Sequence, residues 1–305
     1  MIKSVVITGA NSMIGIHIVR SLLAKGIRVL AITRTVSKEL EEIPKNGSFE
    51  IVQCDISAYK CLDKRISQKY DAFIHLAWMG TSGDKRSDVS LQKLNKKYSL
   101  DCVELANKLQ CKVFLGVGSQ AEFGKVDGVI KYNTISCPTT PYGMAKYLAC
   151  LRTREKAHEL NMKHIWVRIF SVYGPCNVKN SVVMKSIEYF LKGESLEYTS
   201  LTQTWNFLYA EDAAEGILLA LEKGTDGNVY CIANSENKLL KEYIYKIRDI
   251  IDSNIPLKIG KKKEDNVISL NVDISREAKE LGFVPKVSFE EGIKRTIKWY
   301  KANVK

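Results

Sequence analysis

Tyr142 and Lys146 stand four residues apart in Pro141-Tyr142-Gly143-Met144-Ala145-Lys146. On a helix that spacing puts both side chains on one face, one turn apart. A free phenol is a poor acid, with a pKa of about 10. A neighbouring ammonium favours the phenolate and brings the group toward working pH. The two residues therefore read as a proton-transfer pair. Ser119, upstream in Gly118-Ser119-Gln120-Ala121-Glu122-Phe123-Gly124, adds weight to that reading.

A second kind of chemistry is written at the start of the chain. Residues 4–8 form an apolar run, and Thr8-Gly9-Ala10-Asn11-Ser12-Met13-Ile14-Gly15 follows it. Ile16, Val19, Leu22 and Leu23 then recur at helical spacing. Strand, glycine-rich turn and helix in that order open a dinucleotide-binding unit. The glycines let the backbone approach a pyrophosphate, which rests on the helix N-terminus. Gly9, Asn11, Ser12, Met13, Ile14 and Gly15 make up the expected cradle. Ser12 takes the place of the middle glycine in the usual Thr-Gly-x-x-Gly-x-x-Gly pattern. It is small enough to keep the turn, and its hydroxyl could donate to a phosphate.

The second strand, residues 29–33, runs into Thr33-Arg34-Thr35. This lies about 20 residues after the glycines, where an NAD site carries an acid for the ribose diol. Arg34 offers a positive charge suited to a 2′-phosphate instead. That favours NADP(H), with NAD(H) as the other possibility. Asp55 and Ile56 follow the third strand, residues 49–54. Asp55 either faces the adenine edge or caps the next helix. The fourth strand, residues 72–76, ends at Leu76-Ala77, where a small residue lets a cofactor pass close. His75 reads as a core histidine at a strand end.

The elements that must position these residues alternate. A long helix is expected over 89–108, a strand over 113–117 that delivers Ser119, a helix over 142–160 and a strand over 165–170. Strand and helix in regular alternation predict an α/β fold with a doubly wound parallel sheet. Beyond Pro175 the alternation weakens. Helices are expected over 184–191, 211–221, 239–251 and 289–300, with strands over 203–209 and 229–232. The predicted layout is a dinucleotide-binding domain over 1–174, with segments near 205–235 returning to it, and a smaller substrate lobe over 175–305.

Composition narrows the classes. At 305 residues, with 45% hydrophobic and 26% charged residues, the chain suits a globular protein with a large core. It contains no run of 18 apolar residues, so no membrane span is expected. The strand-like run begins at once, and no signal peptide is expected ahead of it. The eight cysteines form no Cys-x-x-Cys, which argues against zinc and against a disulfide framework. A cytoplasmic protein with free thiols and no metal is the expectation. The net charge is +12, yet Lys and Arg are spread along the chain, with Lys261-Lys262-Lys263 the densest run. That pattern reads as a lysine-rich solvated surface rather than a nucleic-acid site. Its field would draw in an anionic substrate such as a nucleotide diphosphate.

With these residues in hand, the chain resembles the extended short-chain dehydrogenase/reductase family of sugar-nucleotide epimerases, dehydratases and reductases. The resemblance covers nearly the whole chain. It rests on Thr8 through Gly15, His75-Leu76-Ala77, Asn95, Ser119, Tyr142 with Lys146, Arg168 through Pro175, Glu211-Asp212-Ala213-Ala214, and Leu281-Gly282-Phe283-x-Pro285. It implies a Rossmann sheet, with Ser119 bonding the reacting sugar oxygen and Tyr142 transferring the proton. Lys146 would lower the Tyr142 pKa and hold the nicotinamide ribose. Phe170, Ser171 and Val172 would lie near nicotinamide and sugar. The usual Asn is absent at Ser171. The Arg-Asp pair that commonly serves the diphosphate in epimerases is replaced by Trp205-Asn206. Gln120 and Ala121 stand where the 4,6-dehydratases carry Asp-Glu, so dehydration is not expected. The Ser119 stretch and the run from Gln203 to Tyr209 look like those of the 4-keto-6-deoxyhexose reductases. Gln120, Ser171 and Trp205 are the expected substrate contacts. The implied function is NAD(P)H-dependent reduction of the 4-keto group of a nucleotide-diphosphate sugar, by a homodimer. A 4-epimerase with tightly bound NAD and a non-enzymatic dinucleotide-binding regulator are the alternatives.

Overall fold

The computed structural model describes residues 1–44, 47–176, 181–262 and 267–303, so Lys263 of the basic run lies outside the described residues. The first half alternates strand with helix except between β3 and β4: β1 Ser4–Thr8, α1 Met13–Ala24, β2 Arg28–Thr33, the short α2 Lys38–Glu41, β3 Phe49–Gln53, β4 Ala72–His75, α3 Val89–Lys108, β5 Val113–Ser119, α4 Pro141–Glu159 and β6 Lys163–Ile169. Then come β7 Ser171–Tyr173, α5 Val182–Leu191, β8 Thr204–Trp205, β9 Phe207–Tyr209, α6 Ala210–Lys223, β10 Val229–Ile232, β11 Lys238–Leu239, α7 Leu240–Ile251, α8 Ser275–Leu281 and α9 Phe289–Asn303.

The main sheet has seven parallel strands in the order β3-β2-β1-β4-β5-β6-β10. β1 lies in its middle and is buried along its whole length, which is why Ser-Val-Val-Ile-Thr does not alternate polar with apolar. One apolar cluster joins α1 and α6 to one face through Ile18, Leu22, Ile217 and Leu221. Another joins α3 to the other face through Cys102, Leu105 and Phe114. A third cluster stands apart from the sheet and gathers α5, α7 and α9 around Tyr173, Phe207, Tyr243 and Phe289. No described helix is long and apolar enough to cross a membrane.

Three expectations need correction. The strand expected over 203–209 is two short strands, β8 and β9, in different two-stranded sheets. Asn206 divides them. It is fully buried, and its side chain donates to the carbonyls of Asn234 and Glu236 and accepts from the Asn234 amide. A residue that satisfies three backbone groups through its side chain serves as a junction between elements. Of the segments expected to return to the main sheet, only β10 joins it; 204–209 pairs outside. The helix expected after Asp55 is a 3₁₀ stretch, Ile56–Arg65.

Candidate active site

Thr8 ends β1 beside Ile32 of β2 and His75 of β4. Gly9, Thr33 to Thr35, and Leu76 with Ala77 therefore emerge together at one edge of the sheet. This is the point where the strand order reverses, and a crevice opens there in such sheets. It holds a cavity of about 380 Å³ whose lining includes Gly9, Asn11, Arg34, Asp55, Ile56 and Ala77. Gly9 has φ +71°, and a Cβ there would stand 2.8 Å from the Ala77 amide nitrogen. A Cβ on Gly15 would stand 2.5 Å from the Gly9 carbonyl oxygen. Neither place admits a side chain, so the turn presents bare backbone to whatever lies in the crevice.

Ser12 caps α1, its Oγ accepting the Gly15 amide at 3.1 Å. It closes the turn in the missing glycine's place and keeps its hydroxyl proton to donate. Asn11 Oδ1 accepts the Ser37 amide at 2.8 Å and ties the turn to the loop after β2. Met13 and Ile14 open the helix. Ile14 is buried in the core, so what they present to the crevice is backbone. Arg34 is exposed at the cavity rim. Asp55 accepts from the Ser57 amide and hydroxyl at 3.0 and 2.7 Å, so it caps the stretch that follows while its residue also lines the cavity. Those bonds, with the charge of Arg34 in support, hold its carboxyl below the usual range. His75 is buried between Thr8 and Ser99, and burial pushes its pKa down to about 3. It is a neutral core residue that orients Thr8, whose Oγ1 accepts the Ala77 amide. Bare glycine backbone and a capped helix N-terminus beside this cavity fit the pyrophosphate and one nucleoside of a dinucleotide.

Ser119 ends β5, and Tyr142 lies in the first turn of α4. Thr140 Oγ1 caps that helix on the Gly143 amide at 3.1 Å, and Pro141 starts it. Tyr142 is 7% exposed, with the Ser119 side chain close to its phenol. Burial pushes its phenol up. The Arg86 guanidinium and the Ser119 side chain pull it down, and the Glu122 charge adds to the upward push.

Lys146 departs from expectation. Its Nζ donates to the Val117 carbonyl at 2.6 Å and sits 3.8 Å from the centre of the Trp78 ring. The cation against the Tyr142 ring is Arg86, 4.3 Å from its centroid. Tyr142 and Lys146 do share a helix face, but a buried ammonium must find an acceptor. The carbonyl at the end of β5 supplies it. Burial pushes the Lys146 pKa down to about 7, against the pull of Glu122.

Glu122 organises the ground beneath Ser119. It is wholly buried and accepts the Ser119 amide at 2.9 Å, the Trp166 indole at 3.1 Å and Arg168 Nε at 2.8 Å. Ser119 and Glu122 form a capping box, a pattern readable from the Ser-x-x-Glu spacing and missed in the sequence. Arg168 Nη2 also donates to Ser136. Arg86 and Trp78 carried no sequence signal.

Gln120 follows Ser119, half-buried. Ser171 begins β7 and pairs with Phe207 of β9, which brings it near Trp205 in the chain. Trp205 packs against both the main core and the α5–α7–α9 cluster, and its indole nitrogen is buried with no hydrogen-bond partner among the described residues. Phe170, expected beside a nicotinamide, is 4% exposed and packs against Phe123 in the core. It follows β6 directly, and its side chain turns inward there.

With the geometry in hand, known proteins place the chain. A model of the NAD dependent epimerase/dehydratase family matches residues 5–233. The chain belongs to that family. A UDP-glucuronate 4-epimerase of Thermodesulfobacterium geofontis is 24% identical over 98% of this chain and 96% of its own. The UDP-glucose 4-epimerase of Thermotoga maritima, solved with UDP-glucose, superposes with a TM-score of 0.88 at 23% identity, covering 99% of this chain and all of that one. A dTDP-glucose 4,6-dehydratase from Streptomyces venezuelae, solved with NAD, gives 0.85 at 23% identity, covering 98% and 97%. These likenesses extend the family's fold over the full described length.

Proposed function

We propose that the chain reduces the 4-keto group of a nucleotide-diphosphate-linked 6-deoxyhexose, with NADPH as the preferred reductant. The observation that carries this reading is the buried Ser119–Tyr142 hydroxyl pair in a fold whose dinucleotide cavity presents Arg34, not an acid, beyond its second strand. When bound, the nicotinamide supplies the hydride. Tyr142 gives its proton to the sugar's C4 oxygen as negative charge develops there. Ser119 Oγ, fixed by the capping box, holds the same oxygen. Lys146, beside the end of β5, reaches the nicotinamide ribose. Gly9, Ser12 and the first-turn amides of α1 hold the pyrophosphate. Gln120, Ser171 and Trp205 face the sugar nucleotide. Gln120 and Ala121 follow Ser119 where dehydration would need an acid and a base.

A second reading, a 4-epimerase that keeps its NAD, is favoured by the names of two of the relatives above. It requires the same Tyr142 to act first as base and then as acid. One experiment separates the two. The purified protein is given NADPH and a panel of CDP-, dTDP-, UDP- and GDP-linked 4-keto-6-deoxyhexoses, and absorbance of the reduced cofactor is followed. Stoichiometric oxidation supports the reductase. Nicotinamide that survives gel filtration, with 4-epimers interconverting and no net oxidation, replaces it with the epimerase.

A further inference from the structure

Between β4 and α3 the chain forms a strap that crosses the first turns of α4. Two buried amides of α3 lace it down. Asn95 accepts the Met79 amide and donates to the Met79 carbonyl, both at 2.8 Å. Gln92 donates to the carbonyls of Gly80 and Lys85 at 3.1 and 2.9 Å and accepts the Trp78 indole at 2.9 Å. Gln92 is 1% exposed and Asn95 is wholly buried. The strap ends in a 3₁₀ turn, Gly83–Arg86, which sets Arg86 over the Tyr142 ring. Apart from that ring, Arg86 makes only a long 3.5 Å contact to the Thr81 carbonyl, and among the described residues no carboxylate pairs with it.

We propose that Arg86 is a positioning residue for Tyr142: its guanidinium, held over the phenol by the strap, stabilises the phenolate that remains when the proton leaves. The Tyr142–Lys146 spacing would give that task to the lysine. The inference rests on the reading of Tyr142 as proton donor.

The surroundings of the phenol leave few rivals. From the end of β5, the uncharged Ser119 side chain lies close to it. From the turn after β5, Glu122 acts against the phenolate, though its charge is already matched by Arg168. On its own helix Lys146 is committed to the Val117 carbonyl and to Trp78. Trp78, from the strap, meets the phenol edge-on at 6.2 Å and carries no charge. A cation over a neutral ring already gains from the ring quadrupole, and it gains more once the ring carries full charge. Charge matching also explains why a guanidinium is held on a ring by two buried amides and left without an acid partner.

The test is to place 3,5-difluorotyrosine at position 142, so that one ¹⁹F signal reports ionisation near neutral pH without substrate or cofactor. The midpoint is read in the otherwise native chain and with Arg86→Gln, Arg86→Lys and Lys146→Met. Arg86→Gln should raise it by about one pH unit, the low end of what an opposite charge at this range produces. Arg86→Lys should keep most of the native value, and Lys146→Met should move it less than Arg86→Gln does. An unmoved midpoint in Arg86→Gln, or a larger shift in Lys146→Met, overturns the proposal. The alkaline limb of kcat for keto reduction should move with the ¹⁹F midpoint. A chain that shows the ¹⁹F shift but reduces no keto sugar in the panel separates failure of the reductase reading from failure of this one.

Discussion

Tyr142 lies beside Ser119, Arg86 and Trp78 with little of its surface in water, and in the proposed reaction it gives up its proton. Tyr142→Phe keeps the ring, its edge contact with Trp78 and the packing of α4, and removes only the hydroxyl. Turnover should fall by about 10²–10⁴-fold, the usual worth of a general acid. Cofactor affinity, read by fluorescence titration, should stay near the wild-type value. A variant that keeps more than about a third of the activity would take Tyr142 out of the mechanism. Arg34 belongs to the same scale. A charge-assisted contact to a phosphate is worth about 1.5–3 kcal/mol, and exposure at the cavity rim brings it to the low end. NADPH should therefore be preferred over NADH by at least about five-fold in kcat/KM. Arg34→Ala should remove most of that preference and leave NADH use intact. Equal use of both cofactors by the wild type would make Arg34 a surface residue only.

At the scale of elements, the groups proposed to react are held by the ends of β5 and α4 and by the turn between Ser119 and Glu122. The Glu122–Arg168 pair joins that turn to β6, with side chains 0% and 6% exposed. Glu122→Ala leaves Arg168 charged, buried and without its carboxylate, and also frees the Trp166 indole and the Ser119 amide. Such a loss costs about 3–5 kcal/mol, whereas apolar replacement of both partners is often near neutral. Denaturant unfolding should show Glu122→Ala far less stable than wild type. The double variant Glu122→Met/Arg168→Met should recover much of the difference. If the single variant unfolds at the wild-type midpoint, the pair is not a support for the site.

Across the whole molecule, α3 and α4 lie side by side and leave Val89, Leu94, Met144 and Leu148 at 43–51% exposure. Apolar side chains gathered on two neighbouring helices are ready to meet a second copy about a two-fold axis. A homodimer is expected by light scattering at micromolar concentration. Leu94→Glu with Leu148→Glu should yield monomers, because two charges would have to be buried in the contact. Wild type that scatters as a monomer ends the idea. The charge of +12 belongs to this scale too. Such a field would raise the encounter rate with the anionic substrate proposed, an effect that salt weakens.

What the sequence determined by itself is what local rules decide. The glycine turn was legible because Gly9 takes a left-handed backbone and Gly15 packs on the Gly9 carbonyl, both within the turn, although the Ala77 amide that also closes on Gly9 comes from a distant strand. Helix α3 runs over the residues expected of it, with Asp88 capping it on the Leu91 amide at 3.0 Å. Parallel pairing followed from the alternation of strand and helix over the first half of the chain. Tertiary structure decided where buried charges find partners. Periodicity puts Lys146 on the face of Tyr142, but only the arrival of β5 and of the strap offers it Val117 and Trp78 and leaves Arg86 to the phenol. Glu122 lies 46 residues from Arg168, and only the neighbouring β5 and β6 bring them within 2.8 Å. Strands as short as β8 and β9 carry too few residues to show a period, so their division at Asn206 waited on the elements that Asn206 binds. A chain writes its faces and its turns locally. A buried charge takes its partner from whichever element crosses it, because desolvation makes an unpaired one too costly to keep.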